Sequence, residues 1–96
     1  MEDVIYYNNL YDYYGELLTD KQKEYYELYY FENLSLGEIA ERLGVSRNAI
    51  HKELKIVVEK LEYYEEKLKL FEKKEKITRL ISTLDGKIKD RIEELI

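Results

Sequence analysis

The sequence predicts an all-α fold: a winged-helix-like helix-turn-helix core with a long helix after the motif and a helical C-terminal tail. The chain has no proline and only four glycines, so long helices meet few breaks. Apolar residues recur at the three- and four-residue spacing of helices. We assign residues 1–70 to a helix-turn-helix domain and residues 71–96 to a helical extension, packed on that domain or on a dimer partner.

The first two predicted helices precede the motif. One runs from about residue 3 to residue 14, and it is rich in tyrosine. Tyrosine rings can stack on nucleic-acid bases, but acidic residues surround these rings, so packing in a core or interface is the preferred interpretation. The other begins at Thr19, with Gln22 in the capping-box position, and ends near Asn33, a residue that tolerates the left-handed conformation.

Residues 35–54 have the pattern of a helix-turn-helix motif. Ser35 and Glu38 form a capping box, and Gly44 supplies the left-handed residue that ends the first motif helix. Val45 is expected to fill the corner between the two helices, and the small Ala40 lets them cross at a steep angle. The apolar residues that bury the motif are Leu36, Ile39, Ala40, Leu43, Ile50 and Leu54.

The first turns of the second motif helix are predicted to contact nucleic acid. Most helices carry acids at this end, because the helix dipole favours negative charge, but here the residues are basic or polar. Free amides at a helix N-terminus beside basic groups suit a phosphate. The candidate nucleic-acid-binding residues are Ser46, Arg47, Asn48, His51, Lys52 and Lys55. The alternative is an ordinary capped helix with a solvated polar face.

Charge distribution argues against a general nucleic-acid-binding protein. The net charge is −5: residues 1–34 carry −6, residues 35–55 carry +1, and residues 56–96 balance ten basic against ten acidic groups. The motif is therefore the least acidic part, although specific DNA-binding proteins usually show a clearer positive face. The lysines between residues 69 and 79 alternate with acids, which favours a solvated helix face over a second RNA site.

A heptad seam predicts one long helix from about residue 47 to residue 71, roughly 37 Å at 1.5 Å per residue. A core of this size does not cover such a helix completely, so its far end needs the C-terminus or a second subunit. We therefore expect a homodimer. The residues of the dimer or core seam are Val57, Leu61, Tyr64, Leu68 and Phe71. Two further apolar stripes, with a break at Asp85 and Gly86, predict helices in the tail.

Several classes of protein are excluded by composition. The chain has no cysteine and a single histidine, so we predict no metal site, no cofactor and no enzymatic activity. The N-terminal MEDVIYYNNL is acidic, whereas a signal peptide begins with basic residues. No apolar run approaches the roughly 20 residues that span a bilayer. A cytoplasmic protein without membrane insertion is expected.

The stretch LTDKQKEYYELYYFENLSLGEIAERLGVSRNAIHKEL resembles region four of bacterial sigma factors. It resembles more closely the YlxM family of small bacterial helix-turn-helix proteins, as do YYNNLYDYYGELLTDKQ and EYYEEKLKL. The likeness covers roughly residues 6–70. Glu53 departs from the sigma pattern, which has an apolar residue there, and Leu54 supplies the burial one place later.

The YlxM resemblance implies an all-helical, dimeric protein that takes part in, or regulates, the signal recognition particle pathway of protein targeting. Genes of this family typically neighbour those of the particle's GTPases, so the implied partners are the particle's RNA and proteins. A sequence-specific transcription regulator that reads DNA through the candidate residues remains the alternative. A purely structural dimerisation module is the third interpretation.

Overall fold

The computed structural model describes residues 3–96, which form helices and turns without a β-strand. A 3₁₀ turn (Gly15–Leu17) joins the first two helices, and a π-helical turn (Glu27–Phe31) extends the second. The all-α prediction is confirmed, and the motif has no β-wing in the described part of the chain. The helices are α1 (Val4–Tyr14), α2 (Asp20–Tyr26), α3 (Leu36–Leu43), α4 (Arg47–Leu68), α5 (Leu70–Leu80) and α6 (Gly86–Glu93).

Two predicted capping boxes begin α2 and α3. The Thr19 Oγ1 accepts the Gln22 amide at 3.1 Å, and the Gln22 side-chain oxygen accepts the Thr19 amide at 3.1 Å. Ser35 and Glu38 repeat this exchange at 3.1 and 3.0 Å. Hydrogen bonds from Ser35 lower the pKa of the Glu38 carboxyl. Both helix starts are therefore fixed by local sequence.

Left-handed residues end the helices before each turn, as predicted. Asn33 has φ +59° and Gly44 has φ +69°. The expectation for Val45 is wrong, because its side chain is 36% exposed. Its amide donates to the Ala40 carbonyl at 3.1 Å, the hydrogen bond typical of a glycine-ended helix, and its side chain does not belong to the second core cluster.

Two clusters of buried side chains form the core. The first joins α1 and α2 to the middle of α4, and the second joins α2 and α3 to the beginning of α4. Tyrosine packs inside the first cluster: the rings of Tyr11 and Tyr26 stack with centroids 4.4 Å apart, and those of Tyr26 and Tyr30 at 4.3 Å. Burial raises the pKa of the Tyr26 and Tyr30 hydroxyls. These rings stabilise the fold, which supports packing over base stacking.

The long helix α4 ends at Leu68, three residues before the predicted end at Phe71. Lys69 takes the left-handed conformation with φ +54°, and α5 begins directly after it. The side chain of Lys69, the N-cap residue of α5, accepts no hydrogen bond from the first amides of that helix. The predicted last turn of α4 is therefore replaced by the beginning of a new helix. The first amides of this helix need hydrogen-bond acceptors from elsewhere in the chain.

Glu65 and Tyr14 supply those acceptors. The Glu65 carboxylate, only 8% exposed, accepts the Phe71 amide at 3.2 Å and the Glu72 amide at 3.0 Å. The Tyr14 hydroxyl donates to Glu65 at 2.6 Å and accepts the Leu70 amide at 3.1 Å. Burial and the Glu65 carboxylate raise the pKa of Tyr14 to about 12. A negative group at a helix N-terminus is favourable, so this cluster fixes where α5 begins.

The seam residues lie in several environments. Val57 and Leu61 are fully buried within the first core cluster of the same chain. Tyr64 packs beside Tyr14 with ring centroids 6.0 Å apart, and Leu68 is 47% exposed. Phe71 lies on α5 and packs against the α1 tyrosines. The chain therefore covers the middle of the seam itself, and a second subunit is not needed there.

The C-terminal helices α5 and α6 are poorly covered. Neither helix contains a fully buried residue, although Ile81 in the turn between them is buried. Leu80 is 78% exposed and Leu95 is 83% exposed. The described residues span 53 Å with a radius of gyration of 16.5 Å. A compact chain of this length has a radius of gyration of about 12.5 Å, so the molecule is elongated.

Candidate nucleic-acid interface

At the N-terminus of α4, one backbone amide is capped by a side chain and others have no intrahelical acceptor. The Ser46 hydroxyl accepts the Ala49 amide at 3.0 Å. The amides of Arg47 and Asn48 belong to the first turn, where a helix offers no carbonyl four residues back. The first turn contains no acidic residue. This end of α4 therefore presents free donors and the positive end of the helix dipole to solvent.

Four candidate residues share one face of α4. Asn48, His51, Lys52 and Lys55 follow the i, i+3, i+4, i+7 spacing, and Arg47 flanks them. All six candidate residues, including Ser46, are exposed. The face lies opposite the buried residues Ile50, Leu54 and Val57. The helix thus brings the predicted set together on a surface that a ligand can reach.

The basic groups of this face have no ionic partner in the described residues. Arg47, Lys52 and Lys55 form no ion pair there, whereas Arg42 on α3 lies 3.8 Å from Glu32. A cation that is already paired must give up its partner before it binds a phosphate. These three cations near the N-terminus of α4 therefore need not break an ion pair to neutralise an external anion.

Acidic residues limit the length of this positive face. Glu59 and Glu62 continue the same face of α4 towards its C-terminal end, and with His51 and Lys55 they line a shallow groove of about 400 Å³. Both glutamates are exposed. Their charge repels phosphate, so the positive face of α4 is limited to residues 47–55.

A hydrogen-bonded link that the sequence patterns did not reveal holds α4 against α2. The Gln22 side-chain amide donates to the Glu53 carboxylate at 3.0 Å, and the Lys60 ammonium donates to the Gln22 side-chain oxygen at 3.1 Å. Gln22 is therefore shared between its own capping box and α4. Glu53, which departs from the sigma pattern, has a structural role and is half-buried beside the candidate residues Lys52 and Lys55.

In residues 3–96 no three His, Asp or Glu side chains come together as a metal site would require. Over the same residues, no helix has both the length and the apolar character needed to cross a bilayer.

Two helices joined by a tight left-handed turn, with an exposed polar face on the second, define a helix-turn-helix protein. The chain belongs to the UPF0122 family, described as "Putative helix-turn-helix protein, YlxM / p13 like", whose model matches residues 1–95. The resemblance to the YlxM family is thereby confirmed.

Relatives in several bacteria support this membership. A UPF0122 protein of Listeria welshimeri is 45% identical over 98 residues, covering 92% of this chain and 89% of the relative. One from a Thermoanaerobacter species is 46% identical over 92 residues, covering 96% of this chain and 75% of the relative. One from Caldanaerobacter subterraneus is 48% identical over 64 residues, covering 67% of this chain and 55% of the relative. The likeness is therefore spread over most of the chain.

Proposed function

We propose that this chain is a non-enzymatic, cytoplasmic regulatory protein that binds nucleic acid through the N-terminal turns of α4, as a homodimer. The observation that carries the proposal is the exposed face around Lys52, where three cations form no ion pair within residues 3–96 and the first turn of the helix contains no acid. Backbone amides and basic side chains are the groups that bind phosphate in most protein–nucleic acid complexes.

We further propose that the protein takes part in, or regulates, the signal recognition particle pathway. This step rests on membership of the UPF0122 family together with the resemblance described above. The charge distribution supports it, because a face of only three cations suits a structured RNA with help from a protein partner. Residues 1–34, at −6, offer a complementary surface to a basic protein of that pathway.

The second candidate function is a sequence-specific transcription regulator. The spacing of Asn48, His51, Lys52 and Lys55 favours it, because side chains on one face of a recognition helix reach base edges in the major groove. Glu59 and Glu62 act against it, since they meet the phosphates of a duplex that follows the length of α4.

Titration of the purified protein against separate ligands tests the choice between these functions. The ligands are the particle's RNA, its GTPase, the receptor, the assembled particle and a pool of duplex DNA. We expect binding to the RNA or the assembled particle, or a changed GTPase rate. Protection of one defined DNA sequence, without an effect on any particle component, would establish the transcription regulator instead.

A further inference from the structure

A groove of about 470 Å³ lies between α1 and α5. Each helix turns one face towards it, because the lining residues follow the three- and four-residue spacing of a helix face. Aromatic rings in the groove are half-buried, and charged side chains of both signs are exposed around them. The residues of α1 are Asn9, Asp12 and Tyr13, and those of α5 include Phe71, Lys74, Glu75 and Arg79.

The polar side chains of this groove have no partner within the described part of the chain. Five of them form neither a side-chain hydrogen bond nor an ion pair there: Asn9, Asp12, Lys74, Glu75 and Arg79. Donors, acceptors and charges of both signs are therefore available together beside two aromatic rings.

A second groove, between α4 and α5, provides a contrast because several of its charged groups are already engaged. Its Glu65 carboxylate accepts two amides of α5. Its Glu72 carboxylate pairs with Lys69 at 3.7 Å and with Lys76 at 3.1 Å. A ligand there would have to displace these contacts, whereas a ligand between α1 and α5 would not.

The chemistry of the groove between α1 and α5 indicates a ligand with a ring, an anion and hydrogen-bond donors. Lys74 and Arg79 supply two cations, which suit a phosphate. Asp12 and Glu75 accept hydrogen bonds, so they need donors on the ligand. The aromatic rings favour a planar group, since bases stack on aromatic side chains. The volume lies within the range of about 300–1,000 Å³ that is typical of sites for drug-sized ligands.

We propose that this groove binds a free purine nucleoside monophosphate. The purine ring stacks against Tyr13 and Phe71, and the phosphate binds the Lys74 ammonium and the Arg79 guanidinium. The Asp12 carboxylate accepts a hydrogen bond from the exocyclic amino group of adenine or guanine. This site goes beyond the proposed nucleic-acid binding, which uses the N-terminal turns of α4.

Such a ligand would add contacts at a poorly covered part of the fold. The groove joins α1, where Leu10 and Tyr14 are buried, to α5, which contains no buried residue. A molecule that binds both helices of the folded chain stabilises the folded state by mass action. We therefore expect the melting temperature to rise with nucleotide concentration and the α5 amides to exchange more slowly.

Calorimetric titration of the full chain with separate small molecules tests the class of ligand. AMP and GMP should bind saturably, and UMP should bind more weakly, because uracil has a smaller ring and no exocyclic amino group. Adenosine and inorganic phosphate each lack half of the nucleotide, so each should bind at least about tenfold more weakly than AMP. Free phenylalanine, which combines a ring with both charges on a smaller frame, should also bind more weakly than AMP.

Two double variants locate the site. Lys74→Ala with Arg79→Ala should weaken AMP binding at least about tenfold and should remove the advantage of AMP over adenosine, because both phosphate ligands are lost. Lys73→Ala with Lys87→Ala changes the net charge equally and should bind AMP normally, since neither side chain lines the groove or forms an ion pair within residues 3–96. Circular dichroism verifies the helicity of both variants.

Three results would overturn the proposal. These are no saturable binding of AMP or GMP at millimolar concentration, an affinity for UMP, adenosine, phosphate or phenylalanine equal to that for AMP, or unchanged AMP binding after the Lys74 and Arg79 changes. The Arg47→Ala, Lys52→Ala variant should bind AMP like the wild type, which separates this site from nucleic-acid binding. Loss of AMP binding in that variant would place the nucleotide on α4 and would equally disprove the proposal.

Discussion

The variant Leu61→Ala should lose about 2–5 kcal/mol of unfolding free energy, the usual range for a buried leucine truncated to alanine. Leu61 is fully buried where α4 meets α1 and α2. The change removes apolar contacts and leaves a cavity between three helices. Because small domains have a total stability of about 5–15 kcal/mol, the loss should appear as a clear shift in a urea unfolding curve.

Leu68 offers a matched control on the same heptad seam. It is 47% exposed at the end of α4, so Leu68→Ala should cost less than about 1 kcal/mol. Equal losses at the two positions would contradict the structure, because they would mean that the seam is covered uniformly by a partner subunit.

The variant Glu65→Ala should detach the beginning of α5 from the domain. It removes the acceptor of the Tyr14 hydroxyl and of the Phe71 and Glu72 amides. A buried polar group left unsatisfied costs about 1–3 kcal/mol, and because water reaches part of the helix end, the variant should lose about 3 kcal/mol of unfolding free energy. Hydrogen exchange should show faster exchange of the first α5 amides than of the α4 amides.

The neighbouring Glu66 provides the control for Glu65. Glu66 is exposed and makes no hydrogen bond among the described side chains, so Glu66→Ala should leave both stability and exchange nearly unchanged. Glu65→Gln keeps one acceptor oxygen and should give an intermediate loss. If Glu65→Ala and Glu66→Ala behave alike, the helix junction does not depend on the buried carboxylate.

Sequence patterns predict the parts of this fold that local chemistry determines. The capping boxes at Thr19 and Ser35 and the left-handed turns at Asn33 and Gly44 each depend on residues within one turn of the helix. The candidate nucleic-acid face was equally accessible to prediction, because its residues lie on one continuous helix.

The features of the structure that sequence patterns do not predict depend on residues far apart in the chain. Glu65 appears in the sequence as one more charged residue beside a heptad seam, yet Tyr14, 51 residues earlier, turns it into the buried cap of α5. The link from Gln22 to Glu53 and Lys60 likewise joins α2 to α4 across more than 30 residues. Such hydrogen bonds depend on tertiary packing, so the periodicity of the sequence does not predict them.

The covering of the seam has the same origin. The heptad spacing correctly indicates an apolar face on α4, but it carries no information about which element packs there. The structure shows that α1 and α2 cover Val57 and Leu61 within one chain. Heptad spacing therefore predicts that the seam is buried. Which element covers the seam is determined by tertiary packing, which the spacing does not encode.

Binding of nucleic-acid phosphate by the N-terminal turns of α4 is tested most directly by a salt-dependent titration. The wild type and an Arg47→Ala, Lys52→Ala variant are each titrated with RNA and with duplex DNA. We predict that the double change abolishes binding without altering helicity. We also predict that the wild-type salt dependence corresponds to about three or fewer phosphates per subunit. A control variant with Lys74→Ala and Arg79→Ala should bind normally. Binding that survives the α4 change but is lost in this control would show that α4 is not the nucleic-acid site and would place the site on α5.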